Sequence, residues 1–85
     1  MRDQWFLYII QTKSGKLYTG ITTDLERRFE EHKTNKGKKA KFFRSDPPLK
    51  IVYSEAFVDR SSASKREYEI KSLTRVKKIE LISRR

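Results

Sequence analysis

The period of the apolar positions changes along the chain, and each change marks an element. Trp5-Phe-Leu-Tyr-Ile-Ile10 is an unbroken aromatic and β-branched run that stops at Thr12-Lys-Ser-Gly15. A run without alternation predicts a strand covered on both faces. Lys16 to Thr22 follows at once and predicts a second, antiparallel strand. With a three-residue loop Lys13-Ser14-Gly15 and Gly15 left-handed, Thr12 pairs with Lys16, Tyr8 with Gly20 and Ile10 with Tyr18. Tyr8 and Tyr18 then lie diagonally on one face. A two-residue Ser14-Gly15 loop would slip the register by one and part them. The longer loop is the expected one.

After the hairpin the period becomes helical. Thr23 or Asp24 can cap a helix on which Leu25, Phe29 and His32 form one stripe. Arg28 lies roughly 60° from Leu25 at the border of that stripe, while Arg27 points to the far side. Arg28 is therefore expected to be held semi-buried over the sheet, and Arg27 to be solvated. Lys33 to Asp46 reads as a basic loop carrying Lys36, Lys38, Lys39, Lys41 and Arg44 around Phe42 and Phe43, closed by Pro47-Pro48. Leu49 to Phe57 alternates as a third strand, with Ile51, Tyr53 and Phe57 on one side. Ser61 or Ser62 can cap a second helix with Ala63, Glu67, Ile70 and Leu73 near one face. Thr74-Arg75 marks a break, and Val76, Ile79 and Ile82 predict a short final helix. The order ββαβαα predicts an α+β fold: a small three-stranded antiparallel sheet flanked by helices, as one domain over residues 1–85.

Charge narrows the class of partner. Lys and Arg number 21 against 11 acidic residues, for a formal charge of +10. That excess favours an acidic polymer and predicts salt-sensitive binding. It does not separate an enzyme from a binder. The absence of cysteine excludes a disulfide framework and thiolate zinc sites. A single histidine argues against His-rich metal sites and against triads built on several histidines. No apolar run approaches the ~18 residues of a membrane span, so no membrane partner is expected. The run from Trp5 to Ile10 is also too short for a signal core, which makes cytoplasmic residence the expectation.

Taken singly, each polar candidate has an ordinary explanation. Tyr8 and Tyr18 could be core aromatics with wet hydroxyls, and Arg28 could cover apolar surface with its stem. Glu67 could simply pair with Lys71, and Arg66 lies as near the apolar stripe as Glu67 does. His32 could be a packed residue at a helix end. Phe42 and Phe43 could cap the core or stack on bases. Taken together they fit a phosphodiesterase, which needs a carboxylate for a divalent metal, a cation for phosphate charge and a group that takes a proton from water. One candidate carboxylate suits a one-metal site, and a magnesium ion that keeps most of its waters suits one carboxylate.

Leu7-Tyr8-Ile9, then Tyr18-Thr-Gly20 ten residues later, then Arg28 eight residues after the glycine, resembles the motif series of the GIY-YIG nuclease family. Ala63-Ser-Lys-Arg-Glu67-Tyr-Glu-Ile-Lys71 is similar to that family's glutamate-bearing helix. The resemblance covers essentially the whole chain and points to the small single-domain branch. Phe6 stands where the first motif has glycine, and Thr19 where the second has isoleucine. The resemblance implies that Tyr18 acts as general base or orients the attacking water, with Tyr8 in support. Arg28 would stabilise the scissile phosphate, and Glu67 would ligate Mg2+ or Mn2+, with Glu69 ranking behind it. Gly20 would let substrate approach the backbone, and His32 takes a position where some members carry histidine. Lys36, Lys38, Lys39, Lys41, Phe42 and Arg44 would grip the nucleic acid. The expected function is a metal-dependent DNA endonuclease, structure-selective and linked to repair or recombination, with a protein partner supplying specificity. The alternative is a nucleic-acid-binding module that keeps the fold without turnover, and an RNA- or ribosome-associated role stands third.

Overall fold

β1 (Trp5–Thr12) runs through the middle of the sheet, between β2 (Leu17–Thr22) and β3 (Pro48–Phe57), and pairs antiparallel with both. The structure is a computed structural model and describes residues 4–34 and 41–84. A strand with apolar side chains on both faces needs cover on both, and β1 receives it: Leu7, Tyr8, Ile9 and Ile10 are all buried. The hairpin closes as the three-residue loop requires. The Thr12 amide donates to the Lys16 carbonyl at 2.9 Å, and Gly15 takes a φ of 97°, where a side chain would be strained. The register is accordingly Tyr8 opposite Gly20 and Ile10 opposite Tyr18.

Alternate residues of β1 feed two separate cores. Leu7 and Ile9 pack with Ile70 of α2 (Arg60–Lys71), and with Leu73 and the Leu81 and Ile82 end of α3 (Arg75–Ser83). Tyr8 and Ile10 pack with Phe43, from a short 3₁₀ turn at Lys41–Phe43, and with Leu25 and Phe29 of α1 (Leu25–Lys33). The order of strands and helices is the expected ββαβαα, and the fold class is the expected α+β.

Three local expectations change. Ile9 pairs with Tyr53 but Ile10 pairs with Ile51, so β3 carries an extra residue at this point. The bulge turns the strand over. Ile51 joins the Tyr8 cluster, whereas Tyr53 and Phe57 join the Leu7 cluster, so the three do not share one side. Second, Asp59 caps α2 in place of Ser61 or Ser62, its carboxylate accepting from the Ser62 amide at 2.8 Å. A carboxylate satisfies an orphan amide and also meets the positive end of the helix dipole. Third, Val76 and Ile79 on α3 stay exposed, and the packing passes to Leu81 and Ile82. Asp24 caps α1 and Thr74 caps α3, each accepting from the amide three residues on.

Candidate active site

Tyr8 reaches across the sheet and lays its ring over Gly20. A β-carbon at Gly20 would stand 2.5 Å from the Tyr8 hydroxyl and 2.7 Å from the ring carbon bearing it. The space left by the missing side chain is thus taken by the Tyr8 ring. The Tyr18 ring centroid lies 6.3 Å from that of Tyr8 on the same face, as the register demands. Tyr18 is partly exposed, while Tyr8 is almost wholly buried.

His32 and Arg28 meet at the Tyr8 hydroxyl. His32 Nε2 lies 3.0 Å from it, and Arg28 donates to the same oxygen. Both come from α1, four residues apart and so one above the other. Burial pushes the Tyr8 hydroxyl up to about 12, Tyr18 and the charge of Glu67 add to the rise, and Arg28 opposes it. Burial, with Arg28 adding to it, pushes His32 down to about 4. A neutral imidazole can accept the phenol proton while the phenol oxygen receives the guanidinium, an arrangement that satisfies all three groups. Phe43 closes the site from behind, its ring centroid 4.4 Å from His32.

Arg28 is held on its other side by Glu31 at 2.7 Å and has 23% of its side chain exposed, against 56% for Arg27. Helix phase had separated the two arginines in this sense. Burial works against the Arg28 charge, but Glu31 and Tyr8 outweigh it and keep the guanidinium protonated. The hydrogen bond from Arg28 in turn holds the Glu31 carboxyl below its ordinary range.

The state of His32 has a consequence for stability. Above pH ~6.5 the imidazole is neutral both folded and unfolded, and the folded state keeps its full margin. As pH falls from ~6.5 towards the folded value of about 4, only the unfolded chain takes the proton, so stability is lost across that window. The loss is at most about 3 kcal/mol. Urea unfolding followed from pH 7 to pH 4.5 is expected to show this descent, and His32→Phe is expected to flatten it. Carboxylates depressed by hydrogen bonds, such as Asp59, contribute equally to both proteins. An equal slope in wild type and variant would contradict the neutral buried histidine.

Glu67 lies on α2 with 23% of its side chain exposed and pairs with Lys71 at 3.0 Å. Its charge adds to the rise at the Tyr8 hydroxyl, as the smallest of the causes there. Its rival Glu69 is 63% exposed and held by Arg66 at 3.0 Å. Arg66 is itself committed to Glu55, gripping both carboxylate oxygens, and Tyr53 donates to the same carboxylate. That network explains why Arg66 and Glu67, neighbours in sequence, do different things.

Lys41, Phe42 and Arg44 are exposed around the 3₁₀ turn. Phe42 stacks towards Tyr18, with ring centroids 5.2 Å apart, and lines a cavity of about 250 Å³ with Lys16, Arg75 and Lys78. Phe43 belongs to the core. Lys36, Lys38 and Lys39 lie outside the described residues. Two partners escaped the sequence reading. Glu31 could have been found as an i,i+3 partner of Arg28. The juxtaposition of Trp5 with Arg60 carries no local signal.

Among the described residues no group of three His, Cys, Asp or Glu side chains could enclose a metal, and no helix is long and apolar enough to cross a membrane. The GIY-YIG catalytic domain matches residues 4–80. A UPF0213 protein of Photorhabdus laumondii is 49% identical over 80 residues, covering 94% of this chain and 75% of its own. The UPF0213 protein YhbQ of Escherichia coli K12 is 48% identical over 79 residues, covering 93% and 77%. The solution structure of the UPF0213 protein BH0048 from Bacillus halodurans superposes with a TM-score of 0.60 at 41% identity, over 94% of this chain and 83% of that one. With this agreement in sequence, fold and strand order, the chain belongs to the GIY-YIG nuclease superfamily, in its small UPF0213 branch.

Proposed function

We propose that the chain is a metal-dependent endonuclease that hydrolyses DNA phosphodiester bonds at Tyr8, Tyr18, Arg28 and Glu67. The observation that carries this reading is the convergence on one buried phenol. Tyr8 is hydrogen-bonded by His32 and Arg28, flanked by Tyr18 and reached by the charge of Glu67. Arg28, fixed between Tyr8 and Glu31, is a cation already oriented for the charge that develops on a phosphate. Tyr8, pushed up to about 12, keeps its proton at neutral pH and serves to position its neighbours. Tyr18, nearer to solvent, orients the attacking water, its hydroxyl oxygen accepting a hydrogen bond from it. His32 locks the hydroxyl of Tyr8 from behind.

GIY-YIG nucleases generally use divalent metal ions. A single carboxylate ligand, Glu67, suits a hard cation that keeps most of its waters, as Mg2+ does, and does not suit a tetrahedral zinc site. Glu67 would hold the ion, with Lys71 beside it fixing the carboxylate. The ion, when bound, supplies positive charge to the phosphate. Lys41, Phe42 and Arg44 grip the strand near Tyr18. The activity is structure-selective, serves repair or recombination in the cytoplasm, and takes specificity from a protein partner.

One observation favours the binding-module reading: Glu67 and Lys71 form an i,i+4 pair of the kind any helix surface can carry. Incubation of the purified chain with linear, flapped and branched DNA in Mg2+, in Mn2+ and in chelator decides between them. Cutting that requires the metal supports the nuclease. Salt-dependent binding with no cutting under any metal overturns it in favour of the module.

A further inference from the structure

We propose that the cleft beside Arg28 is a subsite for an unpaired nucleotide next to the phosphate that is cut. Its base stacks on Trp5 and its phosphate meets Arg60 and Arg27. The inference rests on the nuclease reading and names the substrate class: DNA with an unpaired nucleotide flanking the cut, as in a flap or a single-stranded tail.

The cleft has a volume of about 690 Å³ and lies at the end of the hairpin opposite its loop, between α1 and the start of α2. Trp5, Arg27, Arg28, Glu31 and Arg60 stand on its walls. Three arginines against one glutamate leave it positive, and Glu31 already engages Arg28 at 2.7 Å and Arg27 at 3.7 Å. Arg60 is exposed, and among the described residues it has no acidic partner. Its guanidinium instead stands over the Trp5 ring, 5.7 Å from the centroid. A partly exposed indole beside a planar cation is a platform on which a base can stack and a phosphate be neutralised at once.

Position ties the cleft to the reacting centre. Arg28 belongs to both, touching Tyr8 on one side and lining the cleft on the other. Arg60 and Glu67 lie seven residues apart on α2, which puts them on one side of the helix about 10 Å apart. A strand that places its scissile phosphate at Arg28 and Glu67 therefore brings its neighbouring nucleotide to Trp5 and Arg60. A base paired inside a duplex presents no free face to an indole, so the platform selects unpaired nucleotides.

Trp5 is the only tryptophan, so its emission reports on this cleft alone. The experiment uses Glu67→Gln protein, to keep the DNA intact, and titrates a flapped oligonucleotide against a blunt duplex of equal length. Saturable quenching of Trp5 by the flap, with several-fold weaker binding of the duplex, is the expected result. Fluorescence anisotropy of labelled flap should show Trp5→Leu weakening binding about tenfold. Arg60→Ala should weaken it similarly and Arg60→Lys less, because charge survives without the planar stack. Equal binding of flap and duplex with unchanged emission overturns the proposal, and so does Arg60→Ala binding like its parent. Parallel cleavage assays of wild type separate the two readings. Cutting without any Trp5 response removes the subsite alone. Trp5 quenching by the flap without cutting removes the nuclease reading and leaves a nucleotide-binding cleft.

Discussion

Glu67→Gln is expected to lower metal-dependent DNA cleavage by about 10³-fold or more, while DNA binding stays equal or tightens. The substitution keeps the size of the side chain and removes only its charge. An amide oxygen is a poor substitute for a carboxylate on a hydrated Mg2+, and losing the ion's charge stabilisation at the phosphate raises the barrier by roughly 4 kcal/mol. Binding moves the other way because one negative charge leaves the neighbourhood of the phosphate and Lys71 loses its partner at 3.0 Å. The fold should tolerate the change, since Glu67 packs in neither core. Glu69→Gln is the matched control. That carboxylate is 63% exposed and held by Arg66, so cleavage should change by less than about twofold. Wild type and Glu67→Gln cutting at the same rate would mean a contaminating nuclease, and the proposed activity would fall.

Gly20→Ala is expected to remove most of the activity by a different route. The new methyl group would sit 2.5 Å from the Tyr8 hydroxyl, inside any acceptable contact, so the ring must swing away from β2. Tyr8 is almost wholly buried against Ile10 and Phe43, and the shift costs about 1–3 kcal/mol of stability through overpacking. It also pulls the hydroxyl off His32 and Arg28, and a displacement of that size at a catalytic group can cost about 10²-fold in rate. A cycle with Tyr8→Leu isolates the cause: the stability cost of Gly20→Ala should largely vanish once the tyrosine is gone. If Gly20→Ala is equally destabilising in both backgrounds, the clash lies elsewhere. If its cleavage rate matches wild type, the position of Tyr8 is irrelevant to the reaction.

Much of the fold was legible because its causes are local. Glycine at position 15 permits the left-handed turn, the turn length sets the register, and the register brings Tyr18 beside Tyr8. Helix phase separated Arg28 from Arg27 for the same reason, since the angle between successive residues is a property of the helix alone. Where a local rule offered several answers, the choice needed more. Asp59 outcompeted Ser61 and Ser62 as a cap, and the β3 bulge at Val52 sends Ile51 to one core and Tyr53 to the other.

The sequence by itself determined the ββαβαα order, the pairing of the two tyrosines and the family to which the chain belongs. Each of these depends on contacts between near neighbours or on motif spacing. Only the tertiary structure decided that Tyr8 fills the space above Gly20, that His32 is buried neutral against Tyr8 and Phe43, and that Trp5 faces Arg60 across a positive cleft. Those features join residues 11 to 55 positions apart, and local rules do not decide where such side chains come to rest. They exist because closing both faces of β1 brings α1 and α2 to the same end of the hairpin.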